Sequence, residues 1–413
     1  MNWTNGDCHL QFTSPCVNAG NNAYVTGAAD ADGLPRIVGG TVDIGAFEFP
    51  NVLLSAAIHA DYLTVAPQFP VTFTATFVGY SDGQVWDFGD GTTVSNQLSV
   101  RHGWAAPGDH VVTFTAFNHV NPTNVSATVT VHVLSQLVSY VSAASANSVA
   151  PFTSWSNAAV NIQDAVDAVS VPGSLVLVTN GVYNGGGSSA GRVTVTKPVL
   201  VASVNGAAVT VIEGNPLFGF NGTYFGTRCA FLASNAVLSG FTLTQGGTTS
   251  TGDTPASQGA GAYCEDTNEL ILNCVITGNS SLGAGGGAVN GTLNNCVLSS
   301  NLVAYYVFNS VAGGGGGAMG SVLNNCLLFA NSVVWSGGGA WNSVLNNCTV
   351  VNNSDGSGAA LENCSANNSI AYYNSGPNAA NSTLNYSCTT PDPGGGIGNI
   401  IVEPLLVDRK SVV

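Results

Sequence analysis

The fold is decided by a string that returns with small changes, as TLNNCVLSSN at 292–301, VLNNCLLFAN at 322–331 and VLNNCTVVNN at 344–353. Aligned on the cysteine, the repeat also includes LILNCVITGN around Cys274 and ends in ANNSIAYYN, where Ser369 replaces the cysteine. The successive spacings are 22, 30, 22 and 21 residues. Periods of roughly 20–50 residues are typical of solenoids built from stacked units.

Each repeat is too short to contain a helix. A unit consists of a GGGA run, a strand, the LNNC string, a second strand and an asparagine five residues after the cysteine. This leaves room for about three strands of about 4–5 residues with their turns. The pattern excludes the helical repeat families and predicts a β-solenoid, in which parallel strands stack in register about 4.8 Å apart.

Equivalent side chains of successive coils should then lie above one another in ladders. One inward ladder contains Leu293, Leu323 and Leu345. A second contains Cys274, Cys296, Cys326 and Cys348. The asparagine just before the cysteine stands where the chain must bend, at Asn295, Asn325 and Asn347. Asparagine tolerates the left-handed conformation, and its amide can hydrogen-bond along the stack.

The spacing of the cysteines also bears on their chemistry. Zinc ligands are about two to four residues apart and converge, whereas these cysteines form a line. A thiol nucleophile needs a neighbouring base, but all six histidines precede the solenoid. Stacked Cβ atoms lie about 4.8 Å apart and a disulfide prefers about 3.8 Å, so a bridge needs distortion. We expect packed thiols, with Cys296–Cys326 and the separate pair Cys8–Cys16 as the open disulfide candidates.

Composition limits the classes of function. The 413 residues include 52 glycines but only 7% charged residues, and the net charge is −15. Few charged helix formers beside many Gly, Asn, Thr and Val residues favour an all-β protein. With 7 Lys and Arg against 22 acids, nucleic acid is excluded as a partner. The sequence shows neither an apolar run long enough for a membrane span nor a signal-peptide pattern after Met1.

With these motifs, residues 138–408 resemble a right-handed parallel β-helix of the pectate-lyase-like superfamily, especially its bacterial surface versions. The string NIQDAVDAV at 161–169 predicts a short amphipathic helix with Asn161 as its N-cap. Such a helix would cover the open N-terminal end of the solenoid. The resemblance implies a secreted or cell-surface location.

Residues 52–134 predict a second unit, a β-sandwich of alternating strands and Gly, Asp and Pro turns. WDFGDGTT at 86–93, with RHGWAAPGDHVVTFTAFN at 101–118, resembles a PKD domain. The motif residues are Trp86, Asp87, Phe88, Gly89, Asp90 and Gly91. The two aromatic residues are expected inside, and both aspartates are expected in the turn, with a Ca²⁺ contact as the alternative. The resemblance implies an extracellular spacer or a carbohydrate-associated module, and it does not imply catalysis.

Residues 1–49 are a third piece. Their SPCVNAG and DIGAFE strings resemble the C-terminal closing segment of secreted β-helix proteins. In that family the segment follows a line similar to GNIIVEPLLVD, which stands here at 398–408. We therefore expect a monomeric fragment of a longer tandem array of β-helix and PKD units, with residues 409–413 as a truncation tail.

Residues beyond 135 offer little for catalysis. β-Helix lyases and hydrolases need clustered carboxylates, and lyases also need a base. The cations before the tail are Arg192, Lys197 and Arg228. EDTNE at 265–269 is expected to be a polar loop. The alternatives are a Ca²⁺ site, the only cofactor that the sequence suggests, formed by Asp253, Glu265, Asp266 and Glu269, and a catalytic pair of carboxylates in the same group.

Two aromatic residues are the candidate ligand contacts. Tyr305 and Trp335 each follow a ladder asparagine by four residues, so they are expected on successive coils. Such a pair suits the apolar face of a sugar ring, and packing within the loop is the alternative.

The leading functional hypothesis is an extracellular or cell-surface structural or adhesive protein that contacts polysaccharide or cell-surface glycans. The runner-up is a polysaccharide lyase or glycoside hydrolase. An enzyme should have carboxylates and a cation lining one groove, whereas an adhesive protein should present a polar face.

Overall fold

The computed structural model describes residues 8–10, 14–49, 54–78, 81, 83–117, 124–135, 137–220, 223–249, 255–304, 314–356 and 358–407. The expected tail at 409–413 lies outside these residues. The chain divides into two compact units, Met1–Ser135 and Gln136–Val413.

The first unit contains a β-sandwich whose strands pair antiparallel, apart from the parallel pair of Thr64–Val65 with Val125–Val133. One sheet has, in spatial order, Ser55–Ala60, Val71–Val78 and Ser99–His102. The other has Thr64–Val65, Val125–Val133, Gly108–Phe117, Gly83–Asp87 and Thr93–Ser95. Alternation along the strands sends every second side chain inward, so Phe73, Trp86 and Phe114 are fully buried between the sheets.

Residues 14–49 of the same unit have little regular structure beyond the 3₁₀ turn Asn22–Tyr24. Buried carboxylates organise this segment. Asp43 accepts the backbone N–H groups of Asn18 and Phe49, at 2.5 and 2.6 Å. Glu48 accepts that of Val38 at 2.9 Å and lies 3.3 Å from the Arg36 guanidinium. The two carboxylates of DIGAFE, Asp43 and Glu48, therefore accept hydrogen bonds from backbone N–H groups that have no strand partner.

The second unit is a parallel β-helix, which confirms the predicted solenoid. Sheet 1 contains, in order, Val138–Val141, Leu175–Val178, Leu200–Ser203, Val237–Ser239, Leu270–Leu272, Thr292–Asn294, Val322–Asn324, Val344–Asn346, Ser365–Asn367 and Thr383–Asn385. Sheet 2 contains Gly181–Tyr183, Thr210–Glu213, Thr242–Thr244, Val275–Thr277, Val297–Ser299, Leu327–Phe329, Thr349–Val351, Ile370–Tyr372 and Cys388–Thr389.

Two further parallel sheets complete the coils. Sheet 3 contains Val193–Val195, Ala230–Leu232, Ala262–Cys264, Ala288–Val289, Ala318–Met319, Ala340–Trp341, Leu361–Glu362 and Ala379–Ala380. Sheet 4 contains Ser280–Ser281, Leu302–Val303, Ser332–Val333 and Ser354–Asp355. An antiparallel hairpin of Asn215–Phe220 with Thr223–Thr227 projects from the early coils, and a 3₁₀ turn covers Pro255–Ser257.

The coils stack without a register shift at the repeated string. Leu293 pairs with Leu323 and Leu323 with Leu345, and all three are fully buried. Elsewhere in each coil, the glycine run lies directly against the glycine run of the next coil. A Cβ added at Gly287 would stand 2.5 Å from the carbonyl oxygen of Gly317, so only glycine permits this approach.

A short helix packs at the N-terminal end of the solenoid. It spans Ile162–Ala168 and buries Ile162, Ala165 and Val166 on one face, as an amphipathic helix should. Asn161 precedes it in an extended conformation, but its side chain bonds the Asp164 carboxylate rather than a backbone N–H. Lys197 donates to the carbonyl oxygens at the helix C-terminus, where the helix dipole favours a cation.

The corners explain the asparagines before the cysteines. Asn295, Asn325 and Asn347 have φ of 55°, 54° and 54°, the left-handed region in which asparagine is tolerated best after glycine. Stacking of their amides is limited to a 3.4 Å contact between Asn295 and Asn273. The amide ladders expected at this position lie elsewhere, one residue earlier and five residues after the cysteine.

The inner ladder consists of fully buried asparagines five residues after each cysteine. The amide nitrogen of Asn279 donates to Asn301, Asn301 to Asn331 and Asn331 to Asn353, each at 2.9 Å. Asn353 continues the ladder to Asn374 at 3.1 Å. Each amide also bonds backbone of the neighbouring coil, so that its buried polar atoms are satisfied.

Replacing one rung should destabilise the solenoid. Asn331 donates to Leu298 O at 2.8 Å and accepts the backbone N–H of Asn301 at 3.1 Å. Asn331→Ala leaves these buried groups unpaired, so we expect a loss of roughly 3 kcal/mol in unfolding free energy. Guanidinium denaturation followed by circular dichroism measures this loss. The control is Asn325→Gly, exposed and left-handed, which should change stability by less than about 0.5 kcal/mol; equal losses would contradict the ladder's role.

Candidate functional site

The repeated cysteines lie in one column inside the solenoid. Cys274, Cys296, Cys326 and Cys348 are 1–3% exposed. Their sulfurs contact carbonyl oxygens of the preceding coil, as for Cys296 with Ile271 at 3.3 Å and Cys348 with Leu323 at 3.4 Å. Ser369 follows in the column, and its hydroxyl accepts the backbone N–H of Cys348. A thiol and a hydroxyl therefore occupy equivalent positions.

Burial and hydrogen bonding disfavour the thiolate at three cysteines of the column, Cys274, Cys326 and Cys348, whose pKa values are raised. Burial raises the pKa of Cys274 to about 11. A hydrogen bond with Cys296 raises the pKa of Cys326 to about 12, and burial adds to it. Because the thiolate is the nucleophile and the metal ligand, such protonated thiols are inert. Over the described ranges the structure has no disulfide, neither between Cys8 and Cys16 nor between Cys296 and Cys326.

The carboxylates of the EDTNE loop brace a turn. Glu269 is buried and accepts the backbone N–H groups of Asp266 at 2.8 Å and Asn235 at 3.2 Å. Asp266 in turn accepts the N–H of Asn268 at 2.6 Å. Glu265 is exposed, and Asp253 lies outside the described residues. Among the residues that are described, no group of three or more His, Cys, Asp or Glu is placed to hold a metal ion.

Three cations of the solenoid are engaged by the fold itself. The Arg192 guanidinium donates to the carbonyl oxygens of Glu213 and Gly186, both at 3.0 Å. Arg228 is buried, donates to Pro255 O and lies 5.1 Å from the ring centroid of Tyr263. Burial lowers the pKa of Arg228 to about 10. Together with Lys197 at the helix end, these side chains serve backbone acceptors rather than a solvent-facing groove.

The DFGDG motif of the sandwich forms a hydrogen-bonded turn. Asp87 accepts the N–H of Gly89 at 2.9 Å, and Asp90 accepts the Thr92 N–H and hydroxyl at 3.0 and 2.6 Å. His102 lies 2.7 Å from the other oxygen of Asp90. Trp86 and Phe88 are buried, as expected from the alternation, and Gly91 has φ of +89°. The carboxylates are thus used within the turn.

Of the two candidate sugar contacts, Trp335 is described and Tyr305 lies outside the described residues. Trp335 follows the strand Ser332–Val333 and is 52% exposed. Sequence analysis missed Phe329, which ends the preceding strand of the same coil and is 40% exposed. The chain turns between them at Ala330, with φ of 53°. This coil therefore carries two exposed aromatic side chains, one before and one after the strand Ser332–Val333.

Two acids of the later coils, Asp355 and Glu362, are scattered in the sequence and predict no site there, but they interact in the structure. Burial raises the pKa of Asp355; the N–H of Gly358 opposes this shift, and Glu362 adds to it. Glu362 accepts the Ser336 hydroxyl at 3.1 Å and the Asn381 amide at 2.6 Å. Asp355 lies 22 positions after its register partner Val333. Only the pairing of successive coils therefore brings Asp355 and Glu362 close to Trp335.

The outer face of sheet 1 carries a second amide ladder. Asn324 donates to Asn294 at 2.8 Å, Asn346 to Asn324 at 2.9 Å and Asn367 to Asn346 at 3.1 Å. Each is half-exposed, and the exposed corner asparagine follows it directly. We call these paired asparagines, at 294–295, 324–325, 346–347 and 367–368, the amide band. Their sequence signal is a strand of the form polar–Leu–Asn, in which the buried leucine puts the asparagine outside.

Comparison with known proteins supports the sandwich assignment. Residues 55–131 match the sequence model of the PKD domain. No curated protein sequence matches this chain. None of the described helices is both long and apolar enough to cross a membrane.

Several solved structures resemble this one at low identity. A Methanosarcina mazei protein solved by NMR is 21% identical over 32% of this chain and 90% of its own, with a TM-score of 0.17. The Dettilon tailspike protein is 13% identical over 64% of this chain, with a TM-score of 0.30. The Agl-KA catalytic domain is 13% identical over 84% of this chain, with a TM-score of 0.31. The chain spans 65% of the length of each of the latter two.

The Asp90 turn should make the sandwich sensitive to acid. Partial burial acts to raise the pKa of Asp90, but hydrogen bonds from Thr92 and His102 outweigh it and lower the pKa from 3.8 to about 2. Stability from Asp90 is therefore present above pH 3.8 and lost as the pH falls towards 2. Asp90→Asn should lower the unfolding free energy at pH 7. It should also make the unfolding free energy fall less steeply as the pH drops from 3.8 towards 2.

Hydrogen exchange of the strand Gly108–Phe117, measured from pH 2 to 7, checks this prediction. The control is Asp109→Asn, which removes a more exposed carboxylate 2.7 Å from His132. Surface pairs of this kind contribute little, so its effect should be small. If the stability of Asp90→Asn fell with pH as steeply as that of the wild type, this role of Asp90 would be refuted.

Proposed function

We propose that this chain is an extracellular structural or adhesive protein in which a β-helix, joined to a PKD-type sandwich, contacts carbohydrate without chemically changing it. The observation that carries the proposal is the presence of two exposed aromatic side chains in one coil, Phe329 and Trp335, which are 40% and 52% exposed. Aromatic rings supply a large apolar area for the faces of sugar rings. The internal use of Arg192 and Arg228 also supports a contact surface rather than a lyase groove.

The extracellular part of the proposal rests on the PKD match and on composition. A low content of charged residues leaves a surface of Asn, Ser, Thr and Gly, which are neutral donors and acceptors suited to hydroxyl groups. Ladders of buried asparagines and of packed leucines give the rod a rigid interior. A stiff rod with a polar surface serves spacing and adhesion.

Removing the two exposed aromatic side chains should weaken glycan binding. We expect Phe329→Ala/Trp335→Ala to weaken binding to a polysaccharide retained by the wild type by about tenfold, because stacking area is lost. Affinity electrophoresis through gels containing neutral or anionic polysaccharides measures it. Trp155→Ala is the matched control, since Trp155 is 45% exposed in an early coil. Wild-type mobility unaffected by every polysaccharide would refute the proposed function.

A glycoside hydrolase is the second candidate, favoured by Asp355 and Glu362. A carboxyl group whose pKa is raised by burial, beside a second carboxyl group, is the arrangement of a general acid with its partner. In this role Asp355 would be the general acid and Glu362 the second carboxyl group. Release of reducing ends from neutral polysaccharides by the wild type, abolished in Asp355→Asn, would establish the activity.

The same variant separates the two functions through stability. Because the folded pKa of Asp355 is raised above 3.8, its protonation contributes stability below pH 3.8 that is lost as the pH rises. Asp355→Asn should therefore raise the unfolding free energy at pH 7, with the gain fading towards pH 4. Thermal unfolding across this range measures it. If Asp355→Asn is more stable and the wild type releases no reducing ends, the adhesive function is the one candidate that remains.

A further inference from the structure

The amide band has hydrogen-bonding capacity to spare. An asparagine amide offers two N–H donors and two acceptor sites, and each rung of the ladder uses one donor and one acceptor. The exposed corner asparagine beside each rung adds a further amide. The face thus presents unused donors and acceptors in two adjacent rows. Groups that both donate and accept, such as hydroxyls, match it.

The band repeats along the solenoid axis with the coil spacing. Asn294 pairs with Asn324 and Asn324 with Asn346, so each rung follows the last by one parallel strand, about 4.8 Å. This spacing is comparable to one monosaccharide unit of an extended chain. A ligand that meets the same pair of groups at every step must itself be periodic and lie along the axis. A polymer meets this condition better than a small molecule does.

The band is uncharged. The other outward positions of the same strands are filled by neutral side chains, namely Thr292, Val322, Val344, Ser365 and Thr383. The chain carries a net charge of −15, and Arg192, Lys197 and Arg228 bind backbone carbonyls. A polyanion such as a polyuronate would find no cation here and would meet long-range repulsion. The electrostatics select a neutral polymer.

An aromatic side chain stands at the end of the band. Tyr386 occupies the position that Asn368 holds in the preceding coil, as shown by the hydrogen bond from the Asn368 N–H to Asn385 O. Tyr386 is 62% exposed. Its ring rests on Gly398, where an added Cβ would lie 2.5 Å from the ring. A fixed, exposed ring aligned with rows of amides provides a stacking surface for a sugar.

We propose that the amide band and Tyr386 bind a neutral polysaccharide chain that runs along the solenoid axis, one sugar residue to each coil. This inference rests on the proposed function and specifies its ligand class and a second contact surface. The amides bond hydroxyl groups, and the tyrosine stacks on a terminal ring of the bound segment. The Trp335 corner contacts carbohydrate separately, on a different side of the coil.

The test uses the full chain in affinity electrophoresis with a neutral β-glucan, a neutral galactomannan, polygalacturonate and alginate. We expect retardation by a neutral polymer and none by the two polyuronates. Asn324→Ala/Asn346→Ala should weaken the retained interaction by roughly tenfold, because two sets of amide hydrogen bonds are lost. Tyr386→Ala should weaken it by a similar factor.

The matched control removes an outward pair on the neighbouring sheet. Thr277→Ala/Ser299→Ala deletes two outward hydroxyls that bond each other across coils at 2.9 Å, and it should leave binding unchanged. Thermal unfolding of every variant separates loss of fold from loss of contact. Tyr386→Ala, which lies outside the ladder, keeps the test decisive if the asparagine variant unfolds.

The outcomes are distinguishable. Retention by polyuronates, or neutral binding that survives both the band and Tyr386 variants but is lost in Phe329→Ala/Trp335→Ala, overturns this inference and leaves the proposed function standing. No retardation of the wild type by any polymer overturns both. Neutral binding that is lost in the band variants and kept in the sheet 2 control supports the inference.

Discussion

The register between successive coils is the constraint on which the rest of the solenoid depends. It is held from inside by asparagine amides such as Asn301 and Asn331, which bond one another at 2.9 Å in a fully buried column. A slip of one residue would move these amides outward and put polar backbone against leucine. Desolvation makes such a slip costly, because every misplaced amide would leave buried groups unpaired. The outer band inherits its regular spacing from this inner column.

Because each coil bonds only its neighbours, irregularities stay local. The coil that separates Cys296 from Cys326 is 30 residues long, yet Leu293 still pairs with Leu323 on its far side. The strands before and after these extra residues keep their register, and the ladders continue. In a quasi-one-dimensional fold, each interface contributes its own free energy, so functional corners such as that of Trp335 can vary without affecting distant coils.

The repeat of the LNNC strings made the fold predictable from the sequence. The candidate site was less predictable, because it depends on which side chains from different coils lie close together. The spacing of the LNNC strings correctly predicts the solenoid, and the column of leucines follows from strand alternation. The amide ladder was expected at Asn325 but lies at Asn324, because the left-handed corner turns the second amide away from the stack. Asp355 and Tyr386 escape sequence analysis since their significance depends on burial and on neighbours from other coils. For the EDTNE acids, the sequence could not show the backbone N–H partners of Asp266 and Glu269.

The reactivity of the thiols in this column reports where the solenoid opens locally. Cys274, Cys296, Cys326 and Cys348 are buried in successive coils, and alkylating reagents need both access and the thiolate. A thiol in this column becomes reactive only when its coil separates from a neighbour, so labelling rates measure the free energy of local opening coil by coil. The order in which the four sulfurs react would show from which end the rod frays, with no probe added to the protein.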